Sequence, residues 1–331
     1  MAHQVETMAY VGDKPWHGIG RELSPNQPID VWARESGMNW RIESADVSYT
    51  AKNSAGQNII MPYCDHKVLY RSDTLDALSV VSQRYQEVQP REILEFYRDL
   101  TEKADFELET AGVLKGGRKL WALARTGQSA TLKGKDVSHG YVLLATACDG
   151  TLATTAQFTS IRVVCNNTLA ISLADNRGGV VKVPHSTVFD GEKVKAQLGL
   201  SISTWDEHNY QMKQLSERRV TQAEATNFLN RVFNDADYNI IPFATNQRQN
   251  SSVIPNAKAM NQIMAMFNGQ GRGADLDSAK DTAYGLLCSI TEFVDHERRA
   301  MSMDHRLDSA WFGTGAMLKQ KGLEEAMRLV A

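Results

Sequence analysis

The chain has no long hydrophobic run. No window approaches the roughly eighteen consecutive apolar residues that a membrane-spanning helix needs. The first residues, Met1 to Tyr10, also lack the charged start and the apolar run of a signal peptide. We therefore expect a soluble, cytoplasmic protein that has no membrane partner.

Cysteine is scarce and widely spaced. The four cysteines, which form no Cys-x-x-Cys pair, are Cys64, Cys148, Cys165 and Cys288. This spacing favours reduced thiols over a disulfide framework. Paired metal-ligand motifs are missing too. The polar stretches Cys64-Asp65-His66, Asp295-His296-Glu297 and Asp304-His305 are therefore interpreted as surface residues, and no metal or other cofactor is expected.

Positive charge is not in excess. The chain has 36 Lys and Arg residues against 39 Asp and Glu residues, so its formal net charge is -3. This balance excludes a generally basic surface, and any affinity for nucleic acid must come from a local group of cations.

What the sequence does contain is typical of a globular protein, with 42% hydrophobic and 23% charged residues. Residues 1–30, rich in Gly and Pro, are expected to form an extended arm. Short runs rich in Val, Ile and Tyr then predict an α+β core domain over residues 31–188, built on a mixed or antiparallel β-sheet with hairpins and a packed helix. Residues 189–331 are predicted to be a helical C-terminal region with a mobile loop near 234–274.

Local signals place several elements. Pro90 opens a segment with the apolar spacing of an amphipathic helix. Lys115-Gly116-Gly117-Arg118 and Asp149-Gly150 each predict a turn between two strands of a hairpin. The pair Thr221 and Glu224 has the spacing of a capping box at the start of a further helix.

One segment concentrates polar residues in apolar sequence. Its apolar positions fit a helix from about Ser160 to Ala174, which we predict, although a shorter strand fits part of the same spacing. Arg162 in such surroundings needs an anionic partner. This partner is either a carboxylate, for which Asp149 is a candidate, or a phosphate. An unpaired polar group buried here would cost free energy, so the segment is either a site or a hydrogen-bonded network.

A pocket with a nucleophile is one interpretation of this segment, because a cysteine, a histidine and orienting asparagines are used together in covalent catalysis. The pocket residues would be Asp149, Cys165, Asn166, Asn167 and His185. Buried cysteine more often has only a packing role, and no catalytic family motif surrounds this one. No catalytic residue is therefore assigned.

A cationic stretch in the middle of the chain favours nucleic-acid binding. Lysine and arginine recur from Lys115 to Lys135 with no acidic residue between them, and Asp136 follows at the far edge. A hairpin presenting them could follow phosphates, and Trp121 could stack on a base. The nucleic-acid-binding candidates are Lys115, Arg118, Lys119, Trp121, Arg125 and Arg162. The competing interpretation is a solvated hairpin with Trp121 in the core.

Several motifs together resemble the phage/plasmid-like proteins described as domain of unknown function 932. They are Lys14-Pro15-Trp16-His17-Gly18-Ile19-Gly20, the segment Arg84 to Pro90, the segment Arg162 to Leu169 with His185, and the segment Thr282 to His296. The resemblance covers nearly the whole chain and departs from the family at Tyr284, where a tryptophan is common. It implies an origin on a phage, prophage or plasmid, and it implies no established activity.

We therefore expect a phage- or plasmid-encoded, non-enzymatic protein that binds single-stranded DNA as a homo-oligomer in the cytoplasm of a bacterial host. Annealing or recombination would be its use, by analogy of element order with phage annealing proteins of the RecT, Erf and Red-beta kind. Two alternatives stay open. One is an enzyme or counter-defence factor acting on a nucleotide-like ligand in the cysteine pocket, and the other is an interaction protein without a ligand.

Overall fold

A computed structural model describes residues 5–12, 20–103, 106–165, 167–171, 180–198, 202–234 and 257–331. The strands are β1 (Val5–Val11), β2 (Arg21–Leu23), β3 (Ile42–Lys52), β4 (Asn58–Arg71), β5 (Ala77–Ser82), β6 (Glu107–Leu114), β7 (Lys119–Leu132), β8 (Asp136–Ala147), β9 (Thr154–Arg162), β10 (Asn167–Ala170) and β11 (Val180–Val183). The α-helices are α1 (Ile29–Glu35), α2 (Pro90–Lys103), α3 (Gly191–Leu198), α4 (Ile202–Glu217), α5 (Gln222–Asn234), α6 (Ala257–Ala265), α7 (Ala283–Glu292), α8 (Met303–Phe312) and α9 (Thr314–Met327). The α+β class with a helical C-terminal region is confirmed.

The main sheet has the strand order β10-β9-β8-β7-β6-β1-β2, and β11 pairs with β9 on the same edge as β10. Strands β1 and β2 run parallel, whereas the other pairs of this sheet are antiparallel, so the sheet is mixed. Both predicted hairpins form. Between β6 and β7, the residues Lys115, Gly116 and Gly117 have φ angles of 55°, 67° and 99°, a left-handed conformation that glycine adopts at little cost.

A second, antiparallel sheet has the order β3-β4-β5. Strand β5 pairs with β4 only from His66 to Tyr70, while β3 and β4 continue together as far as the pair Lys52 and Asn58. Val47–Lys52 of β3 and Asn58–Tyr63 of β4 therefore form a two-stranded extension, which we call the ribbon.

The main sheet is covered on both faces. On one face lies α2, where the hydroxyl of Tyr97 is within 2.8 Å of the Ala122 carbonyl oxygen and 3.0 Å of the Val142 carbonyl oxygen. On the other face, Trp121 packs with Trp311 of α8. Most of the remaining helices form a further apolar core that reaches the sheet at β10. The predicted capping box is present as well, since the Thr221 amide donates to Glu224 Oε2 at 2.9 Å.

The helix predicted from Ser160 to Ala174 is wrong. Ser160 to Arg162 complete β9, residues 163–165 turn, and β10 returns antiparallel from Asn167. The apolar spacing fitted both a helix and a strand, and the neighbouring β8 decided the outcome because it pairs with β9 along most of that strand.

Two other predictions meet the structure in part. Within residues 1–30, β1 and β2 join the main sheet as strands, and residues 1–4 and 13–19 lie outside the described residues. Within the loop predicted near 234–274, residues 235–256 also lie outside the described residues, whereas 257–265 form α6. The proposed domain limits at 30 and 188 stay predictions.

Candidate functional site

The polar segment singled out by the sequence lies where the main sheet meets the helical region. Strand β9 ends at Arg162, and β10 begins at Asn167 and packs against α7 and α9. Arg162, Asn167 and Thr168 are all buried. Each of these three side chains finds a polar partner, as a buried polar group must if it is not to destabilise the fold.

Arg162 is held by a buried carboxylate. Its Nε lies 2.8 and 3.0 Å from the two carboxylate oxygens of Asp136, and its Nη2 lies 2.7 Å from Oδ2. Ser278 Oγ donates to the same Oδ2 at 2.5 Å, and the carbonyl oxygens of Arg272 and Gly273 accept from the guanidinium at 3.3 and 3.1 Å. Arg162 is only 5% exposed, and because its donors already have protein acceptors, this geometry does not favour the phosphate contact expected of it, which stays a prediction.

A second buried ion pair lies at the same boundary between the main sheet and the helices. Lys319 Nζ of α9 lies 2.9 Å from Asp295 Oδ1 and 2.8 Å from Thr168 Oγ1. The Thr168 amide donates to Asp295 Oδ2 at 2.8 Å. Burial lowers the pKa of Lys319, while the Asp295 carboxylate acts in the opposite direction and favours the ammonium form. Asp295 is therefore occupied by protein groups.

Cys165 and Asn167 lie beside His296. The ring Nε2 of His296 is 2.9 Å from the Cys165 carbonyl oxygen and 3.0 Å from the side-chain amide of Asn167. Burial lowers the pKa of His296 and raises the pKa of the Cys165 thiol to about 12. A protonated thiol is a poor nucleophile, so this geometry does not favour covalent catalysis at Cys165. Asn166 lies outside the described residues.

The other two residues of the predicted pocket lie at the far end of β9. His185 stacks on Tyr85 with ring centroids 4.4 Å apart, and its Nδ1 lies 3.0 Å from the Gln86 carbonyl oxygen. Asp149 belongs to the turn between β8 and β9, where its Oδ1 accepts from the Thr151 amide at 3.0 Å. Nine residues of strand, on the order of 30 Å, separate the two ends.

The described members of the predicted pocket are therefore not brought together. Cys165 and Asn167 face the helices, while Asp149 and His185 lie at the β8–β9 turn. The suggestion that Asp149 pairs with Arg162 is also wrong, because Asp136 holds that arginine.

Three of the four cationic candidates of the β6–β7 hairpin have side-chain partners, namely Lys115, Lys119 and Arg125. Lys115 Nζ lies 2.6 Å from Asp308 Oδ2, and Lys119 pairs with Oδ1 of the same carboxylate. Burial favours a higher pKa for Asp308, but the hydrogen bonds from the two lysines prevail and lower it. In β7, Arg125 Nη2 lies 2.9 Å from His139 Nε2. Lys119 is buried at 5% exposure in its ion pair, so the phosphate contact expected of it would require that pair to break, and the role stays a prediction.

Trp121 is enclosed rather than presented. It is 1% exposed, and its ring meets Trp311 edge to face, with centroids 4.8 Å apart. A ring must be accessible on one face to stack on a base. The competing interpretation, in which Trp121 belongs to the core, is confirmed.

Sequence reasoning missed the partners of the predicted residues rather than the residues themselves. The missed groups are Asp136, Ser278, Asp295, His296, Asp308 and Lys319. An acidic residue that follows an apolar run is a sequence signal for a buried carboxylate, as with Asp295 after the apolar run of α7. The sequence analysis interpreted Asp295 as a surface residue instead.

At the end of the main sheet where β8 turns into β9, basic side chains are exposed, unlike the buried Arg162 and Lys119. The Tyr85 hydroxyl donates to the Ala147 carbonyl oxygen at 2.5 Å, which brings the preceding Arg84 to the β8–β9 turn. The carbonyl oxygen of Arg118 accepts from the Cys148 amide at 2.9 Å, so the β6–β7 turn reaches the same place.

Lys182 of β11 is the third basic residue in this region, because β11 pairs with the first half of β9. Arg84, Arg118 and Lys182, which we call the turn cluster, are all exposed. None of the three has a salt bridge to any carboxylate of the described residues. Asp149 is the acidic residue of the turn they surround.

Comparison with known proteins gives one match. A family model described as Domain of unknown function (DUF932) matches residues 77–311, more than two thirds of the chain. No curated protein and no solved structure matches.

None of the helices that the structure describes combines the length and the apolar composition that a membrane span requires. The described residues contain no group of three or more His, Cys, Asp or Glu side chains arranged to hold a metal ion.

Proposed function

Because the chain belongs to the family described as Domain of unknown function (DUF932), which names no activity, we propose a function from the chain's own surface, namely binding of single-stranded DNA through the turn cluster. One observation carries this proposal: three basic side chains from three separate segments are exposed at one turn, and none of them has a carboxylate partner in the part of the chain that the structure describes. Carriage by a phage or plasmid and a use in annealing or recombination are further parts of the proposal.

Free cations are the relevant group because phosphate contacts supply most of the affinity for nucleic acid. The buried Arg162 and the paired lysines at Asp308 would have to break existing ion pairs before they met a phosphate. The turn cluster needs no such rearrangement. A flexible single strand can also place neighbouring phosphates around a compact turn, which a rigid duplex does less readily.

The experiment is fluorescence anisotropy of a labelled single-stranded oligonucleotide across a salt series. The native chain is compared with an Arg84→Ala, Arg118→Ala, Lys182→Ala variant. Each lost phosphate contact removes about 0.7 from the slope of log affinity against log salt, so we expect the slope to fall by about 2. The expected loss of affinity is on the order of 10- to 100-fold at low salt.

The matched control is Lys133→Ala, Lys135→Ala, which removes exposed cations from the turn between β7 and β8, at the opposite end of β9. This variant should bind almost as the native chain does. Absence of binding at low salt, or an equal loss in both variants, contradicts the proposal. An equally labelled duplex serves as competitor, and stronger competition by the duplex than by the single strand contradicts the choice of single-stranded DNA.

A further inference from the structure

The small sheet has two apolar faces, although only one of them meets the core. Ile42, Leu69 and Val81 are buried on the inner face. The outer face of an antiparallel sheet is normally polar. Here it carries large apolar side chains, namely Val47, Tyr49, Ile59, Met61, Tyr63 and Val80.

The strand register places these residues on one face. Tyr49 lies directly opposite Met61, and Val47 lies opposite Tyr63. Directly opposite residues point to the same side of a sheet, and residues two apart along a strand do so too. At the register shift between Asp46 and Val47, β4 contains three extra residues, so the side is followed along β3. Ala45 lies two residues from Val47, its partner is Val68, and Val68 lies opposite Val80 of β5, which places Val80 on this side. The apolar surface therefore runs from β5 to the tip of the ribbon.

This surface is open to solvent. Tyr49 is 52% exposed, Tyr63 is 44% exposed and Val80 is 56% exposed. Two strands without a covering layer are only marginally stable in water. Patches of several hundred Å² on a folded protein commonly mark an interaction site. Among the described residues, β3 and β4 pack mainly on each other and on β5.

We propose that the outer face of the small sheet packs against the same face of a second copy of this chain. The paired positions of this face carry no charged residue from Ala45 to Ala51 of β3 or from Ile59 to Tyr63 of β4. A two-fold contact places each residue near its own symmetry mate, so a charged face would repel itself. A neutral face is suited to such a contact.

The area is compatible with a dimer that forms and dissociates. Side chains of this size and exposure contribute on the order of 80 Å² each, or roughly 1,000 Å² across two copies. That value lies near the lower limit of specific interfaces, about 1,000–1,200 Å². A dimer that depends on protein concentration follows from this estimate.

The experiment is sedimentation velocity over a wide range of protein concentrations. The native chain should shift from monomer to dimer as concentration rises. Tyr49→Lys, Met61→Lys places two like charges on the outer face, and it should remain monomeric over the same range. The matched control is Thr50→Lys, Ile60→Lys, an opposite pair on the other side of the ribbon, which should dimerise as the native chain does.

Cys64 provides an independent readout, because it is exposed beside the ribbon while the other three cysteines are buried. A spin label on Cys64 should report a defined inter-copy distance in the native dimer and none in the Tyr49→Lys, Met61→Lys variant. A native chain that is monomeric throughout overturns the inference. So does an outer-face variant that dimerises normally, or a control variant that loses dimerisation equally.

The inference is independent of DNA binding. No variant used here touches Arg84, Arg118 or Lys182, and the sedimentation experiment contains no nucleic acid. Failure of one proposal therefore leaves the other to be decided by its own measurement.

Discussion

The two ends of strand β9 place the same residue types in opposite environments. At the helical end, Arg162 and Lys319 are buried and each faces a carboxylate from a distant part of the chain. At the turn end, Arg84 and Arg118 are exposed and have no carboxylate partner among the described residues. A basic residue is thus available to a ligand only where the fold does not already supply its counter-charge.

This difference explains why the most unusual sequence segment is not the best candidate site. The Asp136–Arg162 pair joins β8 to β9, and the Asp295–Lys319 pair joins the segment after α7 to α9 and, through Thr168, to β10. Their role is to hold this edge of the sheet and the helices that pack on it. Such pairs contribute little net stability compared with apolar residues of the same shape, yet losing one partner is costly. The turn cluster is less conspicuous in sequence, but its chemistry is available to solvent.

The largest expected effect is on the stability of the helical end. Asp136→Ala leaves the Arg162 guanidinium buried without its counter-charge, and we expect a loss of about 3–5 kcal/mol in the free energy of unfolding. Urea denaturation followed by tryptophan fluorescence measures it. Asp149→Ala, at the turn end, removes the hydrogen bonds from Thr151 and should cost only about 1 kcal/mol. Equal losses of unfolding free energy in the two variants would contradict the difference between the two ends of β9.

A smaller effect should appear on acidification, again through the helical region. Burial lowers the pKa of His208 in α4 from 6.5 to about 4. The unfolded chain therefore takes up a proton between pH 6.5 and pH 4 while the folded chain does not, so stability is present above pH 6.5 and is lost as the pH falls. This histidine alone should account for about 2 kcal/mol between pH 7 and pH 5.

The measurement is urea denaturation at both pH values for the native chain and for His208→Gln. The variant should lose less stability on acidification than the native chain. The control is Gln214→Ala in the same helix, which removes no titratable group and should keep the full pH dependence. An unchanged pH dependence in His208→Gln would show that this histidine does not remain neutral in the folded chain.

The smallest effect concerns the turn end itself. Asp149 is the carboxylate of the turn that the turn cluster surrounds, and it offsets part of the positive charge there. Asp149→Asn should strengthen single-stranded DNA binding about two- to fivefold at low salt, and the gain should shrink as salt screens the charges. Anisotropy measures the affinity, with the exposed Asp275→Asn at the helical end as control. A weaker affinity in Asp149→Asn would contradict the assignment of the DNA surface to this turn.

The sequence was sufficient where local chemistry decides the structure. The glycines between β6 and β7 and the Asp149-Gly150 turn specified two hairpins, and Pro90 with its apolar spacing specified α2. The segment after Ser160 was mispredicted because its apolar spacing fits two structures, and pairing with β8 resolved the ambiguity. A single sequence carries no information about such long-range pairing.

The candidate site shows the same limit. Arg162 was recognised as a residue that needs a partner, yet its carboxylate lies 26 residues earlier in the chain, and Lys319 meets Thr168 across 151 residues. No spacing rule links positions so far apart. Exposure of the turn cluster likewise depends on which carboxylates the fold leaves nearby, and that is decided only by the complete tertiary structure.

The contact between Lys319 and Thr168 also bears on the order in which the chain can fold. During synthesis, β10 leaves the ribosome long before Lys319 does. The Lys319 ammonium is the group that contacts the Thr168 hydroxyl of β10 and pairs with Asp295. Contacts of such long sequence separation form late, because the entropy of closing the loop is lost before the contact contributes. The β10 edge of the main sheet should therefore reach its native packing only after α9 has been translated, which leaves an open sheet edge for chaperones to protect in the meantime.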